Sequence, residues 1–438
     1  MTDGSNILKA SYHTLGCKLN FSETSAIGMQ LASRGIIRAL PDETPDIVVV
    51  NTCSVTEVAD KKGRSLIRRL RTRWPGATLV VTGCYAQLKP QEVADIEGVD
   101  IVLGNDEKLR IVDFIEQWES ERRSQIAVHH YLDIRDFRGA CERGDRTRYW
   151  LKVQDGCDYF CTYCTIPFAR GRSRSGRIAD LVAEAEKAAE AGGKEIVLTG
   201  VNVGCFGKDT GEDFLELLKR LDAVEGIERY RISSIEPNLL TEEIVRWIAA
   251  ESRAFMPSFH IPLQSGSDEV LRLMNRRYRT DLFTDRIALI RSLIPDAFIG
   301  VDIIAGARGE TEEEWERSFR YAESLPVSRY HVFPYSERPG TKALGISHQV
   351  GQEEKHRRVA ALTKLSDEKL RAFSRLFIGK VRPVLWEHPD AEEEGMMYGH
   401  TDNYLRVRAN ASASSYNMIT PILITGLHDV ETLTGRFL

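Results

Sequence analysis

Gly156-Cys157-Asp158-Tyr159-Phe160-Cys161-Thr162-Tyr163-Cys164 is the stretch on which the reading of this 438-residue chain turns. It spaces three cysteines as C-x3-C-x2-C, directly after the strand-like run Tyr149-Trp150-Leu151-Lys152-Val153. Thiolates are soft ligands that favour iron–sulfur clusters or zinc. A cubane cluster has four irons and normally takes four cysteines. Three cysteines with no fourth close by leave one iron without a protein ligand, free to bind a substrate or cofactor. Zinc would want a fourth Cys or His at short spacing. The nearest histidines, His129, His130 and His260, are far off in sequence. A cluster is therefore the better reading, with a zinc knuckle or three buried thiols as the alternative.

Outward from the triplet, residues 146 to 370 repeat as βα units. Strands read at Tyr149–Val153, Glu195–Leu198, Arg229–Ser233, Ser258–Ile261, Phe298–Ile304 and Tyr330–Pro334. A helical stretch from Arg177 to Ala191 stops at Gly192-Gly193. Another opens with the capping pattern Thr311-Glu312-Glu313-Glu314 and carries Trp315, Phe319 and Ala322 on one face. Six units predict a partial parallel barrel rather than the closed eight-unit form, with the triplet at the face where such barrels place active sites. Other strand ends on that rim carry Gly200, Asn202, Ser234, Glu236, Gln264 and Asp302. Glu236 or Gln264 suits the ribose or amino-acid group of a nucleoside cofactor.

Residues 7 to about 115 also alternate strands and helices, with apolar runs at Ile7–Thr14, Asp46–Val50, Ala77–Val81 and Val99–Leu103. Such runs, separated by helices at Glu23–Ser33 and Asp60–Arg73, predict a doubly wound parallel sheet. Cys17, Cys53 and Cys84 each follow one of the first three strands. Sites in open α/β sheets form at the carboxyl ends of strands. Three cysteines there would converge despite sequence gaps of 36 and 31 residues. That pattern predicts a second metal cluster, against the alternative of three buried small side chains. Cys141 and Cys205 have no partner at useful spacing and read as bystanders.

The last sixty residues hold short strands at 383–386, 404–408 and 421–425, separated by Gly-, Asn- and Ser-rich loops, which predicts a small β-barrel. Tyr398, Tyr404, Arg406 and Arg408 are its candidates for RNA contact. Basic residues crowd three other segments. They are Lys61, Lys62, Arg64, Arg68, Arg69, Arg71 and Arg73; then Arg135, Arg138, Arg143, Arg146 and Arg148; then Arg170, Arg172, Arg174 and Arg177. A phosphate-rich substrate docking over the cysteines would use them. The organisation is thus 7–118, a charged linker at 119–145, 146–373 and 374–438. A net charge of −5 argues against a generic nucleic-acid coating protein. No apolar run approaches a membrane span, and Met1-Thr2-Asp3-Gly4-Ser5 has no signal-peptide pattern. Eight cysteines in so long a chain point to ligands or reactive thiols rather than a disulfide framework, and the cytoplasm is the expected compartment.

With both triplets in these contexts, the chain resembles the radical S-adenosylmethionine (SAM) methylthiotransferases over almost its whole length. The resemblance rests on Leu15-Gly16-Cys17-Lys18-Leu19-Asn20, Asn51-Thr52-Cys53-Ser54-Val55-Thr56, the Cys157 motif running on through Thr165-Ile166-Pro167-Phe168-Ala169-Arg170-Gly171-Arg172, and Tyr398 to Tyr404, which is similar to a turn of the TRAM domain. It implies an auxiliary-cluster domain, a radical SAM barrel and a TRAM-like module. It also implies two 4Fe-4S clusters and SAM as cofactors, held by Cys157, Cys161 and Cys164 and by Cys17, Cys53 and Cys84, with Tyr163 packing on the adenine. The first cluster would cleave SAM to a 5′-deoxyadenosyl radical, and the second would carry the sulfur that is methylated and transferred to C2 of an adenine. Partners would be a tRNA anticodon stem-loop and an electron donor such as flavodoxin or ferredoxin. Lys18 and the Cys53 context look most like the branch acting on N6-threonylcarbamoyladenosine at position 37. Other branches act on isopentenyladenosine or on an aspartate of ribosomal protein S12. The usual Gly-Phe-Pro-Gly-Glu-Thr appears here as Gly306-Ala307-Arg308-Gly309-Glu310-Thr311. An alternative of another class is a non-catalytic, zinc-containing RNA-binding protein.

Overall fold

The computed structural model describes residues 7–141 and 147–438; Arg143 and Arg146 lie outside them. The first unit has strands β1 (Lys9–Thr14), β2 (Ile37–Arg38), β3 (Ile47–Thr52), β4 (Thr78–Gly83), β5 (Ile101–Leu103) and β6 (Gln125–Ala127). They form one parallel sheet in the order β2-β1-β3-β4-β5-β6. Helices α1 (Lys18–Ser33), α2 (Glu57–Arg73), α3 (Cys84–Leu88), α4 (Pro90–Ala94) and α5 (Ile111–Glu121) connect the strands. The unbroken apolar run in β3 follows from burial on both faces: Ile47 and Val49 enter one core, Val48 and Val50 the other. Two edge strands escape the sequence reading. β2 has two residues and β6 three, both too short for a period-two pattern to register. β6 falls in the stretch read as linker.

The second unit supplies β7 (Arg148–Lys152), β8 (Gln154–Asp155), α6 (Ile166–Arg170), β9 (Arg174–Ser175), α7 (Ile178–Glu190) and β10 (Glu195–Thr199). It continues through α8 (Phe214–Asp222), β11 (Arg229–Ile232), α9 (Glu242–Ala250), β12 (Ser258–Gln264), α10 (Asp268–Leu273) and α11 (Thr280–Leu293). It ends with β13 (Phe298–Ala305), α12 (Glu312–Ser324), β14 (Arg329–Pro334) and the long α13 (Gln352–Arg375). The six parallel strands fall into two half-sheets, β11-β10-β7 and β12-β13-β14, joined by an isolated parallel bridge between Tyr230 and Phe255. This is the expected partial barrel. Side chains alternate along each strand: Leu151, Leu198, Ile261 and Val301 pack outward against the helices. Lys152, Thr199, Arg231, His260, Asp302 and His331, of opposite parity, turn inward. A polar interior suits a cavity rather than a filled barrel core.

The third unit is a closed barrel of β15 (Val381–Pro389), β16 (Met396–Thr401), β17 (Arg406–Asn410), β18 (Ile419–Leu427) and β19 (Thr432–Phe437), in the order β15-β16-β17-β19-β18. Tyr404 and Leu405, read as strand, lie in the turn before β17, and Tyr404 takes a left-handed φ of +67°. That turn docks onto the amino-terminal ends of the larger barrel's strands. Arg229 donates to the His400 carbonyl at 3.0 Å, and Arg231 donates to those of Thr401 and Asp402 at 2.9 and 2.8 Å. Phe373 and Phe377, at and beyond the end of α13, enter the same core as Trp386 and Val407.

The first unit spans both free edges of the split barrel. Helix α1 packs against β7. Beyond β14, the buried Arg338 donates to Ser54 at 2.8 Å and pairs with Asp60 at 2.9 Å. The carboxyl ends of β3 and β4 are thereby presented to the barrel.

Candidate active site at the strand ends

Cys17 is the residue before α1, Cys53 follows β3 directly, and Cys84 opens α3 after β4. Their convergence follows from pairing of β1 with β3 and β3 with β4 in register. Gly16 and Gly83 make the close approach possible, with φ of +104° and +94°. A Cβ on Gly16 would lie 2.7 Å from the Cβ of Cys53, and one on Gly83 would lie 2.3 Å from the Thr52 carbonyl oxygen. Cys17 keeps solvent access although protein surrounds it, as a residue lining a crevice does. Burial pushes the Cys53 thiol up to about 12, and Cys84 and Cys17 add to the rise. Burial also raises Cys17, with Arg170 the main opposing influence. The three cysteines thus lie together at the carboxyl ends of three neighbouring strands. Thiols held protonated in this way must lose protons to bind a metal.

The second triplet lies in the loop between β8 and α6. Tyr159, Cys161 and Cys205 form a buried cluster against which Cys157, Cys164 and Tyr163 pack. Cys205, read as a bystander, is therefore beside this triplet. Cys141 is not; it bridges Leu151 of β7. Burial pushes Cys157 and Cys164 up to about 12. Cys161 is raised for the same reason, but Arg276 opposes the rise by donating to its sulfur at 3.1 Å. Arg276 also ion-pairs with Glu236 and donates to the Tyr278 hydroxyl at 3.2 Å. Tyr163 packs against a buried cluster that includes Val270, Met274 and Ile304.

The other rim residues separate into groups. Ser234 and the His260 ring nitrogen lie 3.2 Å apart, and the other ring nitrogen lies 2.7 Å from Asp302. Desolvation and the neighbouring His260 push His331 down to about 4, keeping it neutral near pH 7. Gln264 ends β12 at a register shift with a left-handed φ of +68°. Gly200 passes close to Gln154, whose side-chain oxygen accepts from the Asn202 amide at 2.9 Å. The Asn202 side chain itself is buried, and neither of its polar atoms has a hydrogen-bond partner among the described residues. An unsatisfied buried amide at a strand end fits a polar ligand.

The comparisons with known proteins agree with this geometry. Residues 151–322 match the radical SAM superfamily and residues 9–104 the uncharacterized protein family UPF0004. The chain is 39% identical over 409 residues to the threonylcarbamoyladenosine tRNA methylthiotransferase MtaB of Bacillus subtilis, spanning 91% of this chain and 89% of that protein. This chain belongs to the radical SAM methylthiotransferases. A tRNA-2-methylthio-N(6)-dimethylallyladenosine synthase of Clostridium botulinum is 31% identical, over 89% of this chain and 88% of that one. Among solved structures, the radical S-adenosylmethionine methyltransferase TsrM from Kitasatospora setae superposes with a TM-score of 0.57 over 77% of each chain, at 14% identity. At that identity the likeness concerns the fold alone. Membership in the methylthiotransferases makes the chain an enzyme and implies a 4Fe-4S cluster and SAM. The non-catalytic zinc reading falls.

Several basic residues expected at a phosphate surface have other work in this methylthiotransferase. Arg170 and Arg174 are buried in ion pairs with Glu23 and Asp155. Arg71 pairs with Asp100 at 2.7 Å and donates to the carbonyls of Pro75, Ala77 and Gly98. Arg64 pairs with Glu57 and Glu92, and Arg148 with Glu387 at 2.8 Å. Arg308 pairs with Glu337 and donates to the Ile346 carbonyl at 2.9 Å, bracing its own loop. In the small barrel, Tyr404 faces Arg148 and Arg231, and Arg408 pairs with Asp390. Lys61, Lys62, Arg68, Arg69, Arg73, Arg135, Arg172 and Arg177 remain exposed. Tyr398 is stacked by Arg406 at 4.0 Å on the outer face of β16 and β17. Arg276, Asn105 and Gln154 are site residues that sequence reasoning misses, since none lies in a spacing pattern of its own, and Arg170 is read there only as a phosphate contact.

Proposed function

We propose that the chain transfers a methylthio group to C2 of N6-threonylcarbamoyladenosine at position 37 of cytoplasmic tRNA. The observation that carries this reading is the placing of two cysteine triplets at strand carboxyl ends turned toward one interface, in a chain most similar, among the relatives named above, to a threonylcarbamoyladenosine tRNA methylthiotransferase. Cys157, Cys161 and Cys164 would hold the SAM-binding cluster, and Cys17, Cys53 and Cys84 an auxiliary one. Together these groups, when bound, supply a 5′-deoxyadenosyl radical and a methylated sulfur.

The chain's own residues then have definite tasks. Arg276 fixes the Cys161 sulfur and is itself neutralised by Glu236, so no net charge is buried there. Tyr163 and the unsatisfied Asn202 amide would face the nucleoside cofactor, and Gly200 lets this strand end pack closely on Gln154. Ser234, Glu236, Gln264 and Asp302 complete that rim. Lys18, beside Cys17, bears on both His331 and Tyr404 and so adds positive potential to the cavity. That potential suits the carboxylate of a threonylcarbamoyl group. A flavodoxin or ferredoxin would supply the electron.

Deletion of the gene should remove the methylthio group from tRNA bearing threonylcarbamoyladenosine and from no other nucleoside. Loss from isopentenyladenosine, or from ribosomal protein S12, would overturn the substrate and spare the reaction type. For tRNA docking, α2 offers Lys61, Lys62, Arg68 and Arg69 along an exposed face about 12 Å long. Changing these four to Glu should raise the tRNA Kd and flatten its salt dependence by roughly 0.7–0.9 in log–log slope per lost phosphate contact. SAM cleavage without substrate should be unaffected. An unchanged slope would remove α2 from the interface.

A further inference from the structure

Between the first unit and the barrel lies a buried charge network that the functional reading does not use. Glu23 of α1 accepts from Lys152 at 2.8 Å and from both terminal nitrogens of Arg170 at 3.1 and 3.0 Å, and it pairs with Lys108. Asp155 pairs with Lys152 at 2.7 Å, Arg170 at 3.0 Å and Arg174 at 3.1 Å. All six are buried. Four cations thus face two carboxylates among the described residues. Glu107, next in sequence, turns away to His129 at 2.6 Å. A surplus of buried positive charge is costly unless a neighbouring anion offsets it.

Two asparagines connect this surplus to the auxiliary cysteines. Arg170 donates to the Asn20 side-chain oxygen at 2.6 Å, and that oxygen lies 3.9 Å from the Cys17 sulfur. The Asn20 amide in turn donates to the carbonyls of Leu15 and Thr52, the latter beside Cys53. Lys108 donates to Asn105 at 2.7 Å, and the Asn105 amide lies 4.0 Å from the Cys84 sulfur. The other triplet differs: its one buried guanidinium, Arg276, is matched by Glu236.

We propose that Arg170, with Lys108, is a positioning residue for the auxiliary cluster: it holds Asn20 and Asn105 against the ligands and raises the cluster's reduction potential. This rests on the auxiliary cluster proposed above. Three thiolates on a cubane give it a net negative charge, which one-electron reduction increases. A fixed positive surplus one side chain away offsets that charge and favours the reduced form.

The test uses the full chain with Cys157, Cys161 and Cys164 changed to Ala, so that only the auxiliary cluster assembles. Its midpoint potential is read by redox titration followed by electron paramagnetic resonance. Arg170→Gln should lower the equilibrium for reduction about tenfold, which is about 59 mV for a one-electron couple. Arg170→Lys, which keeps the charge, should move it much less. Glu23→Gln removes a negative charge and should move the potential upward. Should Arg170→Gln fail to fold, Lys108→Gln and Glu23→Gln still give opposite signs. Shifts of the same sign in that pair, or no shift in either, overturn the inference. Absence of any cluster in the parent chain overturns the auxiliary-cluster reading, and this inference with it.

Discussion

Replacing Cys157, Cys161 and Cys164 together by alanine should abolish reductive cleavage of SAM and halve the iron of the reconstituted chain, from about eight atoms to about four. The reasoning begins with the ligands. The three sulfurs lie in one loop beside the buried Tyr159 and Cys205, and removal of one would leave two for the proposed cluster, which would have no fourth protein ligand. Removal of all three leaves no soft donor in that loop. The substitutions are small, each costing on the order of 1 kcal/mol, and the Arg276–Glu236 pair remains satisfied without Cys161. The variant should therefore fold, which circular dichroism would check. Cys205 tests the assignment further. Its sulfur accepts from Lys208 at 3.6 Å, and burial raises its pKa. A variant that keeps all its iron would show that Cys205 or other donors replace the triplet. Zinc as the dominant metal in the unaltered protein would overturn the cluster altogether.

Both triplets are legible in the sequence because their position needs only strand periodicity and the rule that sites form at strand carboxyl ends. The apolar run ending at Val50 places Cys53, and the run ending at Val81 places Cys84. The barrel is legible from its repeated βα units, whose strands carry apolar outward residues such as Ile196, Leu198, Ile299 and Val301. Charged side chains are less legible. Read one at a time, Arg170, Arg174 and Arg71 look like surface cations, since arginine is seldom buried unless paired. The partners that bury them, Glu23, Asp155 and Asp100, are 147, 19 and 29 residues away respectively. No local pattern joins them. Tyr404 is the same case in the last unit: its neighbours suggest an RNA-facing aromatic, and only the docked barrel shows it between Arg148 and Arg231.

Changing Cys17, Cys53 and Cys84 to alanine should abolish methylthiolation completely while 5′-deoxyadenosine continues to form. This separation follows from the layout. The two sets of cysteines belong to different units, and each set is completed within its own, by the register of β1, β3 and β4 in one case and by a single loop in the other. The contacts that join the units are not cysteines. Glu23 to Lys152 and Arg170, Asp60 to Arg338, and the Asn105 amide to the Ala169 carbonyl at 2.8 Å all survive the change. Limited proteolysis should thus show the same docked fragments as the parent. Burial holds the Cys17 and Cys53 thiols protonated, and no cysteine of the triplet takes part in an ion pair among the described residues, so their loss removes no charge pair from the apoprotein. SAM cleavage without product is then the expected phenotype, measured by chromatography of 5′-deoxyadenosine against methylthiolated nucleoside. If both activities vanish in a variant whose proteolytic pattern is unchanged, the triplets do not divide the chemistry as proposed. If product still forms, the sulfur is not carried on the cluster of the first unit.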